Sequence, residues 1–200
     1  MKLIRFGESP TFLMSNHPQV FRLATAVAQL NNQYEDLTVV CDAAIAPVAK
    51  AAGIKTIAVH SPGKQNWTGD RKESARVNLM QKVGHVFHLY KGALQGPEVT
   101  EKIAEELTAG RSVFMCPSAV SNPNANWRIG VGVVASRFVD SQVKPAFVNI
   151  PLSRGVVQVK TFNNFRQLTG DNLPADPHDV SSLLQTKYRQ AFLPQPKSTS

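Results

Sequence analysis

The residues with usable chemistry fall in a few short stretches of this 200-residue chain. His17 stands in Ser15-Asn16-His17-Pro18, directly after the apolar run Phe12-Leu13-Met14. An imidazole there, with an ordinary pKa of about 6.5, suits the removal of a proton from a bound hydroxyl. The second stretch is Cys116-Pro117-Ser118-Ala119-Val120-Ser121-Asn122-Pro123-Asn124-Ala125-Asn126-Trp127-Arg128-Ile129-Gly130. It joins two apolar segments and carries hydroxyls, an indole and a guanidinium, so it reads as a working loop. Taken singly, each residue also has an ordinary structural use: His17 as a helix cap, Trp127 as a cover for the core edge, Arg128 as a solvated cation.

Other chemistries lack their signatures. Ser118 is not in a Gly-x-Ser-x-Gly elbow, which leaves serine hydrolysis without support. No P-loop and no Gly-x-Gly-x-x-Gly follows a strand. His60, His85 and His88 have no i,i+4 or carboxylate pairing of the kind that binds metal. Cys41 and Cys116 lack the spacing of a metal knuckle, and two thiols in apolar runs fit a reducing cytosol.

The elements that must position these residues alternate between strand and helix. Residues 12–14 are a short apolar strand, and Ser15-Asn16-His17-Pro18 is a helix start in which proline tolerates the first turn. Val20, Leu23, Ala24, Val27, Ala28 and Leu30 then recur at helical spacing. Residues 37–41 form a buried strand, 43–52 an alanine-rich helix capped by Gly53, and 54–59 a further strand, a unit that implies a parallel pair. Residues 61–70 are a polar loop, 71–83 a helix, 86–90 a strand, 97–109 a helix and 111–116 a strand feeding the working loop. Residues 129–139 form an apolar helix whose glycines allow close packing on the sheet. Strands at 145–150 and 156–160 and a helix at 180–192 complete residues 1–193 as one domain, with 194–200 as a polar tail. The fold class is α/β: a single domain with a mixed, mostly parallel sheet flanked by helices.

Composition bounds the function classes. The chain is 42% hydrophobic and 18% charged, enough for a real core. Its net charge of +8 favours anionic partners. No arginine-rich run or aromatic platform supports nucleic acid as one of them, and nucleic acid is not expected. No apolar stretch approaches a membrane span and no signal peptide is evident, so a cytoplasmic location, peripheral to a membrane at most, is expected.

In order, the segments at 15–18, 84–92, 116–122 and 145–151 resemble the four motifs of the glycerolphosphate and lysophosphatidate acyltransferase superfamily, over roughly residues 10–155. The resemblance implies a glycerolphosphate-acyltransferase-like fold. It implies acyl transfer from acyl-CoA or an acyl carrier protein to a hydroxyl of a phosphorylated, lysophospholipid-type acceptor, with no bound cofactor or metal. His17 would be the general base. Lys91 would stand where the second motif has its phosphate-binding arginine. Ser118, Ser121, Trp127 and Arg128 would belong to the substrate-holding third motif and its exit. The family's aspartate, five residues after the histidine, is replaced by Arg22, and Ser121 falls where the third motif has arginine. Two other readings follow from the same residues. One is a relative that binds lipid or phosphate without transferring acyl groups. The other is a Rossmann-like nucleotide- or sugar-binding domain with Asp42, at a strand end, as the sugar ligand.

Overall fold

The computed structural model describes residues 9–16, 20–60, 79, 82, 86–118, 126–151 and 155–192. The expected loop at 61–70, nearly all of the expected helix at 71–83, and the tail at 194–200 lie outside these residues. Five parallel strands and one antiparallel edge strand make a single sheet. They are β1 (Thr11–Met14), β2 (Thr38–Asp42), β3 (Lys55–Val59), β4 (Val113–Met115), β5 (Lys144–Asn149) and β6 (Gln158–Thr161), in spatial order β3-β2-β4-β1-β5-β6. Among the described residues the helices with defined bounds are α1 (Val20–Asn31), α2 (Ala46–Ala51), α3 (Pro97–Thr108), α4 (Ile129–Arg137), α5 (Phe165–Thr169) and α6 (Pro177–Phe192). The expected single α/β domain with a mixed, mostly parallel sheet is what the chain forms.

The two-residue period of the strands sorts their side chains between two cores. Phe12, Met14, Val113 and Phe147 point to one face, where they meet Ile103 and Leu107 of α3, Val131, Val134 and Ala135 of α4, and Val180 and Leu184 of α6. Leu13, Val39, Cys41, Phe114, Ala146 and Val148 point to the other, against Ala26, Val27 and Leu30 of α1. Parallel strands covered on both faces must be apolar throughout, which is why Thr11-Phe12-Leu13-Met14 is buried at all four positions. The α1 stripe differs in detail from the expected one. Leu23, Ala26, Val27 and Leu30 face the sheet, whereas Ala24 and Ala28 are exposed.

Glycine ends two of the helices. Gly53, at φ +75°, lets its N–H reach the Lys50 carbonyl while the Ile54 N–H reaches that of Ala49. Gly110, at φ +81°, repeats the pattern, with its own N–H on Leu107 and that of Arg111 on Glu106. Both satisfy the last helical carbonyls in the left-handed conformation that glycine takes without steric cost.

Three expected elements are corrected. Val86 is helical and residues 87–90 form a turn, not a strand, because His88 adopts φ +53° and the Lys91 N–H folds back to its carbonyl. Pairing with the sheet passes instead to Leu94, which bridges Val59 in parallel. The strand expected from 156 starts at Gln158, since the Val157 N–H is taken by the Gln29 side chain at 2.8 Å. The close packing of α4 is against helices. A Cβ on Gly132 would fall on the Pro177 carbonyl oxygen of α6, and one on Gly130 would crowd Thr100 of α3. Helix α5 was not expected, although its signal is in the sequence: Asn164 accepts from the Gln167 N–H at 2.8 Å, and the Gln167 side chain accepts from Asn163. That arrangement resembles a capping box, with the returning bond made to the residue before the cap.

At the N-terminal edge of the sheet, buried Glu106 accepts from Arg111 through both oxygens, at 2.5 and 2.9 Å, and from the Thr38 hydroxyl at 2.9 Å. The Arg111 guanidinium, followed by the Thr38 hydroxyl, holds its carboxyl down at about 2, from an ordinary 4.5. A depressed carboxyl stabilises the fold fully above its unfolded pKa and loses that contribution as pH falls toward the folded one. Acid should therefore weaken the wild-type protein between pH 4.5 and about 2 in a way that Glu106→Gln does not share. At neutral pH, Glu106→Ala should lower stability by leaving the buried Thr38 hydroxyl without its acceptor and Arg111 without its partner. Urea melts across pH measure both.

Candidate functional site

Strands β1 and β4 are parallel neighbours, yet the chain leaves them toward opposite faces of the sheet. From β1 it enters α1, which packs on the Leu13–Phe114 face, and from β4 it enters α4, on the Phe12–Val113 face. Adjacent strands whose connections diverge leave a crevice beyond their C-terminal ends, the usual ligand position in open α/β sheets. Here the crevice that this topology implies is bordered by Ser15-Asn16 after β1, Cys116-Pro117-Ser118 after β4, and Asn126-Trp127-Arg128 before α4.

Hydrogen bonds tie these segments to each other. The Ser15 N–H donates to the Met115 carbonyl at 3.2 Å, extending the β1–β4 pairing by one residue. The Arg128 N–H donates to the Pro117 carbonyl at 3.1 Å, closing the base of the 118–127 loop. Across the crevice, Trp127 Nε1 donates to Asn16 Oδ1 at 2.8 Å. The Trp127 N–H reaches Gln185 Oε1 of α6 at 3.3 Å.

Beneath the crevice lies an aromatic cluster. Trp127 packs against Tyr188 and Phe147 with ring centroids 5.4 and 6.2 Å apart, and Tyr188 meets Phe147 edge-on at 5.5 Å. The Tyr188 hydroxyl donates to the Val148 carbonyl at 3.1 Å. Burial pushes the Tyr188 phenol above its ordinary range, with hydrogen bonds from Ser15 and the Asn16 backbone opposing. The start of α4 is also built in. Ser181 of α6 accepts from the Gly132 N–H at 2.9 Å, and its hydroxyl lies 3.0 Å from the Arg128 carbonyl.

The crevice brings together only part of the expected set. Ser118 is buried and engaged by its neighbours. Trp127, expected to line a substrate, is 3% exposed and serves as the wedge between loop and core. Arg128 caps α4 from an extended backbone and is exposed at the crevice rim. His17 directly follows Asn16 in the chain; it and Ser121 lie outside the described residues. Lys91 stands elsewhere. It follows Tyr90, whose hydroxyl donates to Asp42 Oδ1 at 2.9 Å and whose ring meets His60 edge-on at 4.8 Å. That cluster marks the ends of β2 and β3, on the same sheet edge but two strands from β1, or about 10 Å. Asp42 is occupied there, since Oδ1 also accepts from the Ala44 N–H at 2.8 Å.

Sequence reasoning passed over Asn16, Gln185 and Tyr188. Asn16 was legible as the neighbour of His17; the other two lie on a helix that meets the crevice only in the fold. Arg22, in the first turn of α1, is partly buried, and its Nη1 is enclosed without a hydrogen-bond partner among the described residues. Cys116 is partly accessible as a residue, yet desolvation pushes its thiol up to about 12, so it is protonated at neutral pH. Cys41, also a free thiol, is buried.

The wedge makes graded predictions. Trp127→Phe keeps the ring contacts but strands Asn16 Oδ1, and should cost about 1 kcal/mol, a fall of roughly 3 °C in Tm. Gly132→Ala should cost about 3 kcal/mol, because the added methyl meets backbone that cannot move aside without separating α4 from α6. Thermal denaturation of the two variants orders them, and equal stability would remove the close approach at Gly132 from the account. Comparisons with protein-family models, with curated proteins and with solved structures return no match, so a functional reading rests on the crevice itself.

Proposed function

We propose that this protein is an acyltransferase-like enzyme that moves an acyl group from a thioester, acyl-CoA or acyl carrier protein, to a hydroxyl of a phosphorylated, lysophospholipid-type acceptor. One observation carries the reading. Three of the four segments that resemble the acyltransferase motifs leave or occupy three contiguous strands, β4, β1 and β5, and the exit of the third is joined to the first by the Trp127–Asn16 bond. The finer likeness to the glycerolphosphate-acyltransferase fold belongs to the same proposal.

In the reaction His17 takes the acceptor hydroxyl proton as the oxygen attacks the thioester carbonyl. The new C–O bond forms, the C–S bond breaks, and the proton passes to the departing thiolate. Arg128, exposed at the rim, attracts the acceptor's phosphate. The protonated Cys116 is a poor nucleophile, which favours direct transfer over an acyl-enzyme. Lys91, beside the Tyr90–Asp42 contact at the end of β2, keeps its expected role as a second cation for that phosphate. A net charge of +8 suits anionic donors, acceptors and surfaces alike.

The test is thioester consumption with lysophosphatidate as acceptor. His17→Ala should lower kcat on the order of a thousandfold. Turnover that is unchanged by that substitution removes His17 from the mechanism, and no thioester consumption by the wild-type protein removes the acyltransferase reading.

A second reading, an anion-binding relative without transfer chemistry, is favoured by Arg22. A guanidinium nitrogen enclosed without a partner is costly, and a bound anion relieves that cost. If glycerol 3-phosphate raises the Tm of the wild-type protein but not of Arg22→Gln, while no thioester is consumed, this reading replaces the first. No Tm shift from glycerol 3-phosphate in the wild-type protein sinks it.

A further inference from the structure

The stretch at 86–92 presents apolar side chains to water although it is firmly held. Val86 is 72% exposed and Phe87 68%, and Leu79 nearby in sequence is 63% exposed. Soluble surfaces usually scatter such residues singly. Slack in the chain does not account for the exposure. Tyr90 is fixed to Asp42 and His60 from below, and Leu94 is fixed to β3 by its N–H on the Ala58 carbonyl and its carbonyl on the His60 N–H, both at 3.0 Å. His88 takes the left-handed conformation at φ +53°, which reverses the chain so that Phe87 projects while Tyr90 points inward.

The same stretch is the most cationic of the chain. Residues 71–91 hold Arg71, Lys72, Arg76, Lys82 and Lys91 against Glu73 alone, a net of +4 and half of the chain's +8. Lys82, His88 and Lys91 are exposed beside the apolar residues. Apolar tips set among lysines match an anionic bilayer interface, where the tips enter the acyl boundary and the cations meet lipid phosphates and carboxylates.

We infer that the exposed apolar and cationic residues of this stretch, Leu79, Lys82, Val86, Phe87 and Lys91, dock the protein on an anionic membrane. Residues 86–92 lie on the sheet edge that also carries the β1–β4 crevice, so docking brings that crevice to the membrane side. The inference stands without acyl transfer, because membrane binding needs neither thioester nor His17.

Sedimentation with phosphatidylcholine vesicles, with and without phosphatidylserine, tests it on the full chain. The wild-type protein should bind only the phosphatidylserine vesicles. Lys82→Gln and Lys91→Gln should each weaken binding roughly fivefold at low salt, and the loss should shrink as salt rises. Val86→Ser with Phe87→Ser should weaken it at least tenfold. Val48→Ser and Val156→Ser, exposed apolar positions elsewhere, should leave it unchanged. Equal binding to both vesicle types, no binding by the wild-type protein, or binding indifferent to the 86–87 pair overturns the inference. So does a wild-type dimer that the pair dissolves without any effect on vesicles, since a second copy would then be the occupant. Unaltered circular dichroism of the variants separates lost docking from lost folding.

Discussion

Strand β1 has neither a free edge nor a free face, and the rest of the molecule is arranged around that fact. β4 pairs along one side of it and β5 along the other, while Phe12 and Met14 supply one core and Leu13 the other. A strand so enclosed has one open direction, its C-terminal end, where Ser15 and Asn16 emerge. Because β4 ends beside it and sends its chain to the opposite face, the two loops cannot pack over each other. They leave a crevice whose walls belong to the most buried part of the sheet.

The crevice is held from behind by contacts that use up polar groups. Asn16 Oδ1, the Trp127 indole N–H, Gln185 Oε1 and the Ser181 hydroxyl are all committed to one another or to backbone. That commitment makes the wall stiff, and it takes up the Gly132 N–H in the first turn of α4, which Ser181 accepts. Helix α4 can approach α6 closely enough for this only because residue 132 lacks a side chain. Rigid support behind and uncommitted charge at the rim, chiefly Arg128, is the division of labour expected of a binding site set on secondary structure.

The sheet was legible in the sequence wherever burial is two-sided, because continuous apolar runs such as Thr11-Phe12-Leu13-Met14 and Pro145-Ala146-Phe147-Val148 have few other uses. Legibility failed at the sheet edges. Val86-Phe87-His88-Leu89-Tyr90 has strand composition, but pairing is decided by whether a neighbour is free, and Leu94 takes that place. Trp127 and Arg128 were correctly placed at the loop exit. Trp127 covers the core edge and Arg128 is solvated, the ordinary structural use of each, while the aromatic partners of Trp127, from positions 147 and 188, were not readable. Lys91 and Arg128 looked interchangeable as cations in the sequence, and strand order separates them, since β2 and β3 run out to one side of β1 before the chain returns as β4.

Charge gives the crevice its chemical character. The described segments at its border, 14–16, 115–118 and 126–130, contain no carboxylate, while Arg128 stands at the rim and Arg22 in the first turn of the helix that follows β1. In the proposed reaction an imidazole would therefore work without the carboxylate that steadies imidazolium in a triad, and the cations would oppose the charge it gains. A phosphorylated acceptor alters that balance, because its own negative charge sits against the arginines and offsets their field at the moment the proton moves. Substrate charge would then do part of what a fixed aspartate does elsewhere. Catalysis would depend on the acceptor's phosphate through kcat as well as through binding, which a merely anchoring phosphate would not bring about.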